Sequence, residues 1–473
     1  FNMIWEIDIT SKKHIKEISD AAKDSSKIIL ATDPDREGEA IAWHVKHILE
    51  EKNLLKDKKV ERVVFNEITK KAVVHGIENP RDINIELVNA YLARRALDYL
   101  VGFNISPILW TKLPGSKSAG RVQSVALKII VEREHEIELF TPREFWTLGA
   151  VFKNHENKEF QAKLNIYNSQ KIEKFSFKNE MEANNVVETI KKNEFKVASI
   201  ESKPFKRNPY APFRTSTMQQ DASRKLGFGA SRTMQIAQRL YQGIDIDGET
   251  VGLITYMRTD GTDISLEAVA DCRKYIKDKI GDEYLPKEAR SYSGKKAKNA
   301  QEAHEAVRPT DINRTPESLK SKLDKDQFRL YELIWNRTVS SQMESAEFER
   351  TAVDLANNDK SIVFRANGSI QKFDGFLKLY QDIKDEDDKE KEENEEDNLL
   401  PEVRENELAP LEKILNEQKF TQPPPRYSEA SLVKKLEELG IGRPSTYASI
   451  ISVLSTRNYV EVLNKKFIPN RSW

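Results

Sequence analysis

Three acidic residues alternate with other residues in the segment Asp33-Pro-Asp-Arg-Glu37. They follow the apolar run 28–31, which is typical of a parallel strand covered on both faces, and they precede apolar residues at helical spacing. Open α/β sheets bind ligands at the carboxyl ends of their strands, which is where this order places the acids. Carboxylate oxygens there suit Mg²⁺, which usually shares its coordination between protein carboxylates and substrate phosphates. The predicted metal ligands are Asp33, Asp35 and Glu37.

A simpler interpretation of this segment is an acidic helix N-terminus, where carboxylates interact favourably with the helix dipole. For any single acid of the segment this alternative is the stronger one. Three acids directly after a buried strand instead favour a metal site beside a phosphate. Arg36, between the acids, is placed to contact a phosphate oxygen.

A second segment, residues 252–260, changes from apolar to polar around one tyrosine. If it is extended, Tyr256, Arg258 and Asp260 project to the same face, because side chains alternate along a strand. A phenol has a pKa of about 10 and is a weak nucleophile at neutral pH unless a cation or a base lies close by. Arg258 is permanently charged, and we expect it to favour the phenolate and to clamp a phosphate. Attack of a tyrosine on a phosphodiester would form a covalent bond that conserves the energy of the broken link.

Both segments resemble active-site motifs of the type IA DNA topoisomerases. The acidic segment is similar to the Toprim motif, which this family shares with primases and some nucleases. The tyrosine segment is similar to the one that carries the family's nucleophile, with Gly261 where the bacterial enzymes usually have Ser. The resemblance implies that Tyr256 is the nucleophile, that Arg258 assists it, and that one hydroxyl contact of the family is absent.

Segments spread along nearly the whole chain match the same family. Residues 62–69 resemble the end of the Toprim region. Residues 89–98 place Arg94 and Asp98 four positions apart on a predicted helix, where a surface ion pair and a DNA contact are equally good interpretations. Residues 116–124 predict a cationic loop of small residues that opens a helix and suits a phosphate. This loop lacks the spacing of a P-loop, and the sequence indicates no ATP site.

Two later segments complete the match. One contains His304; a lone histidine more often has a structural role, but in the family this histidine approaches the scissile phosphate. Residues 423–447 predict two helices, the first capped by Ser428 and ended by Gly440, the second with Pro444 in its first turn. A generic helix-turn-helix is the alternative interpretation, and it also predicts DNA contact. The predicted DNA contacts are Arg36, Arg62, Arg94, Asp98, Arg121, Gln123, Asp260, His304, Arg443, Ser445 and Thr446.

Composition agrees with a multidomain, DNA-binding, cytoplasmic enzyme. A chain of 473 residues exceeds a single core, and no apolar run approaches membrane length. The single cysteine, Cys272, excludes a disulfide framework and a cysteine-based zinc ribbon within this chain. The net charge of +0 divides into −8 for segment 381–398, which has 11 acidic residues and 3 lysines, and +8 for the rest. We interpret that segment as a solvated insertion; a DNA mimic that competes for the basic groove is the less favoured alternative.

We predict a multidomain fold of α/β and α+β units that closes into the torus of the type IA family. The Toprim unit precedes helical and β-rich regions, and the tyrosine unit packs on the Toprim unit. The predicted bounds are 1–83 for the Toprim domain, 84–140 and 421–473 for a helical DNA-binding domain, 141–212 and 343–420 for a β-rich arch, and 213–342 for the tyrosine domain.

The resemblance implies ATP-independent relaxation of negatively supercoiled DNA by a monomer that uses Mg²⁺. A single-stranded stretch of underwound duplex would be cut through a 5′-phosphotyrosyl link, another strand would pass, and the break would be resealed. One alternative is a topoisomerase III-like decatenase. Others are a Toprim nuclease or primase, which has no use for the tyrosine segment, and a DNA-binding scaffold.

The first Toprim strand of the family, which carries a catalytic glutamate and a nearby lysine, has no counterpart in this sequence. Glu6 is not its equivalent, because the residues around Glu6 match a later strand. We therefore expect a fragment, truncated at both ends, that binds DNA but cleaves it poorly.

Overall fold

The computed structural model describes residues 5–113, 117–292, 305–381 and 400–470. His304 and positions 382–398 of the acidic segment lie outside these ranges, so their predicted roles stay predictions. Within the described ranges, no helix combines the length and the apolar character needed to cross a membrane.

The amino-terminal part alternates helices and strands, as predicted for a Toprim unit. Its elements are α1 (Ser11–Lys23), β1 (Lys27–Leu30), α2 (Arg36–Glu51), β2 (Lys59–Arg62) and α3 (Lys70–Glu78). β1 and β2 pair in parallel, so their carboxyl ends lie at the same edge.

Two sequence predictions for this unit are wrong. β1 is not covered on both faces: Leu30 is buried, but Ile29, whose side chain alternates to the opposite face, is 41% exposed. Residues 5–8 do not form the predicted strand; their backbone is irregular, and Trp5 packs edge-on against His44 of α2.

The remaining elements form a helical unit, a large antiparallel sheet and a helical tyrosine unit. In chain order they are α4 (Ile85–Lys112), α5 (Gln123–Leu139), β3 (Glu144–Lys153), β4 (Glu159–Tyr167), β5 (Gln170–Lys171), α6 (Glu180–Ile190), β6 (Lys196–Arg207), α7 (Thr215–Asp221), α8 (Ala230–Gln242), β7 (Ile244–Ile246), β8 (Glu249–Val251), α9 (Leu266–Tyr275), α10 (Pro316–Leu319), α11 (Lys325–Ser341), β9 (Ala346–Ala356), β10 (Ile362–Phe373), β11 (Leu411–Phe420), α12 (Glu429–Glu438), α13 (Tyr447–Thr456), β12 (Val460–Leu463) and β13 (Lys466–Pro469).

The large sheet has the strand order β11-β3-β4-β10-β9-β6, with β5 paired to β4. Its strands come from two distant stretches of the chain, on either side of the tyrosine unit, as the predicted arch requires. Aromatic residues from both stretches form its core: the rings of Phe152, Phe195 and Phe364 pack edge-on against one another. The sheet is thus a single β-rich unit built from both stretches.

Residues 375–380 do not form a strand, although they lie within the region 343–420 that is predicted to be β-rich. Residues Gly375–Lys378 form a 3₁₀ turn instead. Gly375 has φ +50°, and a Cβ at that position would lie 2.5 Å from the carbonyl oxygen of Ser345. The turn directs Phe376 and Tyr380 into the core of the tyrosine unit, where both are buried.

The carboxy-terminal helices pack on the earlier helical region, as predicted. Ala126 and Ile130 of α5 share a buried cluster with Leu454 of α13. Ser428 caps α12 by accepting a hydrogen bond from Ser431 N, and Gly440 ends this helix with φ +68°. The two cap predictions are therefore confirmed.

Pro444 does not lie in the first turn of α13, which begins only at Tyr447. The preceding residues form a tight turn in which Arg443 N donates to Thr446 Oγ1 at 2.8 Å. This turn occupies the position expected for the start of the helix.

Candidate active site

The acidic loop connects β1 to α2 and is fixed by contacts with the first helical turn. Asp35 caps α2: its Oδ1 accepts a hydrogen bond from Gly38 N at 2.8 Å. Thr32 Oγ1 donates to Gly38 O at 2.6 Å. Gly38 lies so close to the loop that a Cβ there would be 2.1 Å from Asp33 O. The loop and helix terminus are consequently one tightly packed unit.

The tyrosine segment lies between the Toprim chain and a second segment of the tyrosine unit. Tyr256 N donates to Asn66 O at 2.7 Å, and Thr255 N donates to Arg308 O at 2.9 Å. Tyr256 is 2% exposed, and its hydroxyl donates to Asp35 Oδ2 at 2.6 Å. The guanidinium of Arg258 lies 3.6 Å from the same oxygen. The structure thus joins the predicted nucleophile, its arginine and the acidic loop.

Asp260 does not share this face with Tyr256, contrary to the prediction. The chain bends at Met257 and Arg258, and Thr215 Oγ1 holds the bend by donating to Met257 O at 2.6 Å. Asp260 is exposed beyond the bend. There, burial and then the negative charges of Glu437 and Asp260 raise the pKa of Tyr447.

Arg258 favours the phenolate, as expected, but other effects outweigh it in this conformation. Burial raises the pKa of Tyr256 far above its ordinary value, and both the negative charge of Asp35 and the hydrogen bond to Asp35 raise it further. Arg258 lowers this pKa, but by less than the other effects raise it. Tyr256 is therefore a neutral hydrogen-bond donor in this structure.

The acidic loop has the donor chemistry of a magnesium site. Burial, and next the charge of Asp35, raise the pKa values of both Asp33 and Glu37, which indicates carboxylates that repel each other. A bound cation relieves such repulsion, so the residues present fit Mg²⁺. Over the described part of the chain, however, no three His, Cys, Asp or Glu side chains are already arranged around a common metal position. Asp35 faces Tyr256 and Arg258 instead.

Glu37 connects the acidic loop to two other predicted segments. Its Oε1 accepts from Arg94 at 3.4 Å and from Ser445 Oγ at 3.3 Å. Asp98 pairs with Arg94 at 3.7 Å and with Arg121 at 3.0 Å. The ion pair considered as the alternative for Arg94 and Asp98 is therefore present in the structure.

Cations concentrate around this part of the site. Burial and the neighbouring charge of Arg94 lower the pKa of Arg36, and Arg443 contributes in the same direction. The guanidinium groups of Arg94 and Arg443 both repel that of Arg36, and such a concentration of positive charge suits phosphates. Two other residues predicted to contact DNA are Gln123 and Thr446. Gln123 is the first residue of α5 and donates to Ser118 Oγ at 3.3 Å, and Thr446 is largely buried in the turn before α13.

Arg62 is not available to DNA in this structure, contrary to the prediction. Its side chain has no exposed surface, and its guanidinium pairs with Glu39 at 3.0 Å. Although burial on its own raises the pKa of Glu39, the hydrogen bonds from Arg81, from Asn84 N and from Arg62 lower it below the ordinary value. The physical reason for the wrong prediction is that this cation has its partners inside the protein.

Sequence reasoning missed three residues that support the site, namely Glu39, Glu67 and Arg308. Glu39 is fully buried two positions after Glu37. Arg308 donates to Glu67 Oε2 at 3.3 Å, and its backbone N donates to Thr255 Oγ1 at 3.0 Å beside the nucleophile. Glu39 follows the acidic segment and Glu67 lies within segment 62–69, but the partners of these two residues and of Arg308 have no local sequence signal.

Comparisons with known proteins agree with the motifs. A family model described as DNA topoisomerase matches residues 82–472, and one described as Toprim domain matches residues 6–68. The chain is 55% identical over 470 residues to DNA topoisomerase 1 of Rickettsia felis, covering 99% of this chain and 60% of that protein. It is 50% identical over 473 residues to DNA topoisomerase 1 of Zymomonas mobilis, covering 100% of this chain and 38% of that protein.

A solved structure is similar along the same length. Full-length topoisomerase I from Thermotoga maritima matches with a TM-score of 0.82 and 36% identity, over 99% of this chain and 72% of that chain. The chain spans 60% or less of the length of the curated relatives named above. These matches confirm the family resemblance and the fold class inferred from the motifs.

Proposed function

Since the chain belongs to the DNA topoisomerase family, we propose that it relaxes negatively supercoiled DNA, without ATP, through a transient single-strand break of the type IA kind. The observation that carries this proposal is the contact between Tyr256 and the acidic loop. A buried phenol that donates to Asp35 at 2.6 Å, with Arg258 beside the same carboxylate, joins a nucleophile to phosphate-binding chemistry.

In the proposed reaction, Tyr256 Oη attacks a backbone phosphorus of single-stranded DNA. The bond from phosphorus to the 3′ oxygen breaks, which leaves a 5′-phosphotyrosyl link, and the leaving 3′ oxygen takes up a proton from water to become a free 3′-hydroxyl. The phenolic proton already lies in the hydrogen bond to Asp35 Oδ2, so that carboxylate is the nearest acceptor. Arg258 is close enough to stabilise charge on the phosphate oxygens. Attack by the 3′-hydroxyl reverses the steps after strand passage.

Asp33, Asp35 and Glu37 would hold Mg²⁺, which when bound supplies positive charge beside the scissile phosphate. Arg36, Arg94 and Arg443 lie around these acids and would bind neighbouring phosphates. Arg121, Gln123 and Ser445 extend this surface. The contacts predicted for Asp98, Asp260, His304 and Thr446 stay predictions from the resemblance.

We propose further that the chain acts as a cytoplasmic monomer and that its units close into a torus around a DNA strand. The support for the torus is the similarity to the Thermotoga maritima structure. The names of the similar proteins favour topoisomerase I over the decatenase alternative. A Toprim nuclease or primase has no role for a tyrosine held against the acidic loop.

The test is denaturant trapping of a covalent adduct on a single-stranded oligonucleotide labelled at one end. A 5′-phosphotyrosyl link retains the label placed at the 3′ end of the DNA and releases the label placed at the 5′ end. Incubation over hours detects slow as well as fast cleavage. Absence of any adduct, or retention of the 5′ label instead, contradicts the proposal.

A further inference from the structure

We propose that Glu39 and Arg62 are positioning residues that fix the acidic loop and orient it toward helix α4. This inference depends on one part of the proposed function, which is that the acidic loop binds the metal ion. Neither residue contacts the nucleophile or an exposed surface in this structure, and both side chains have 0% exposure. They would act through the backbone of the loop.

Arg62 directs its donors at the chain that carries the acids. Its guanidinium donates to Leu30 O at 3.1 Å, to Thr32 O at 2.8 Å and to Asp33 O at 2.8 Å. These carbonyls follow one another from the end of β1 into the acidic loop. The rigid, planar guanidinium therefore determines the path of this backbone, which a lysine with one flexible ammonium group cannot reproduce.

Glu39 fixes Arg62 and also reaches the other side of the site. One of its oxygens accepts from Arg62 Nε at 3.0 Å, and the other accepts from Asn84 N at 2.6 Å. Arg81 adds two further hydrogen bonds, at 2.8 and 2.9 Å. Asn84 caps α4, and the same helix carries Arg94, which pairs with Glu37. Glu39 thus joins the acidic loop to the helix that presents a phosphate-binding arginine.

Stability alone is a weak explanation for this buried pair. Burying two charges costs roughly as much as their attraction returns, so an apolar replacement of such a pair is often neutral or stabilising. Three of the hydrogen bonds of Arg62 go to the end of β1 and the acidic loop, and the others go to Glu39 and to Val63 O. Groups that orient metal ligands typically change metal affinity by about 10- to 100-fold when they are mutated.

The test measures Mn²⁺ binding to the full chain by electron paramagnetic resonance, without DNA and without turnover. Glu39→Gln keeps the side-chain shape but removes the charge, and we expect it to weaken Mn²⁺ binding by about 10- to 100-fold. The matched control is Asp354→Asn, which removes the carboxylate from a two-point pair with Arg365 at 2.7 and 2.8 Å in the large sheet. The control is expected to bind Mn²⁺ like the wild type.

A double variant separates positioning from folding. Glu39→Gln with Arg62→Met removes both buried charges, so its unfolding temperature should recover relative to Glu39→Gln alone. Its Mn²⁺ affinity should stay low, because Arg62→Met removes the donors to the loop carbonyls. Recovery of both quantities together overturns the inference, as does wild-type Mn²⁺ affinity in Glu39→Gln.

The acidic-loop variant Asp33→Ala/Asp35→Ala separates this inference from the proposed function. Unchanged Mn²⁺ affinity in that variant contradicts the proposed metal site itself. Loss of affinity there, together with wild-type affinity in Glu39→Gln, overturns the positioning role alone.

Discussion

Replacing Tyr256 by Phe removes one oxygen atom, which has two roles in this structure. It is the proposed nucleophile, and it is also the donor that occupies Asp35 Oδ2 at 2.6 Å. The other oxygen of Asp35 accepts from Gly38 N. The phenol therefore competes with a metal ion for Asp35 Oδ2, although that oxygen has a second lone pair. We expect Tyr256→Phe to abolish covalent trapping and to strengthen metal binding.

The size of the second effect follows from the contact. A hydrogen bond to a charged acceptor contributes about 1.5–3 kcal/mol, and about 1.4 kcal/mol corresponds to a tenfold change in affinity. Arg258 remains 3.6 Å from the freed oxygen and continues to compete for it. The lower end of the range is therefore expected, an increase in Mn²⁺ affinity of about tenfold. Single-stranded DNA affinity should stay within a few fold, because a residue that is 2% exposed offers almost no surface to DNA.

The assay combines three measurements on each variant: denaturant trapping of the adduct, Mn²⁺ binding and single-stranded DNA binding. Tyr241→Phe is the matched control. Tyr241 is also buried, and its ring packs edge-on against Tyr256 at 5.3 Å, but its hydroxyl contacts Phe65 O rather than an acid. The control should keep both the adduct and the Mn²⁺ affinity of the wild type.

Two results would refute the reasoning. An adduct formed by Tyr256→Phe excludes this residue as the nucleophile. Wild-type Mn²⁺ affinity in the same variant shows that the phenol does not compete for Asp35, even if the nucleophile assignment stands.

The remaining predictions concern the metal, acid stability and phosphate contacts. In a chain extended by the family's first Toprim strand, Asp33→Ala/Asp35→Ala should weaken relaxation and its dependence on Mg²⁺; normal relaxation at an unchanged Mg²⁺ requirement would make these acids structural. The pKa of Glu39 is lower in the folded protein than in the unfolded chain, where it is about 4.3. The ionised carboxylate therefore stabilises the fold above that pH, and this stabilisation is lost as the pH falls through the pKa of the folded state. The difference in unfolding free energy between wild type and Glu39→Gln should therefore shrink below about pH 4, and a constant difference contradicts this assignment. Arg94→Ala should reduce the slope of log affinity against log salt for single-stranded DNA by about 0.7, whereas Arg365→Ala should leave the slope unchanged. Equal slopes for Arg94→Ala and wild type would exclude a phosphate contact.

Local patterns in the sequence predicted part of the local structure correctly. The apolar run, the acids and the helical spacing after them predict a loop between a strand and a helix, and the structure has Asp35 as the cap of that helix. Ser428 and Gly440 mark the ends of α12 for the same reason, since a cap depends on backbone groups within a few residues. The motifs also identify the family.

Only the tertiary structure decided which charges meet. The sequence cannot show that Arg62 turns inward to Glu39 rather than outward to DNA, because both choices have the same local pattern. Nor can it show that Tyr256 is neutral, since that depends on burial and on Asp35, which is 221 residues away along the chain. A pKa and an ion pair are set by every group within a few ångströms, and these groups are brought together by packing rather than by spacing in the sequence.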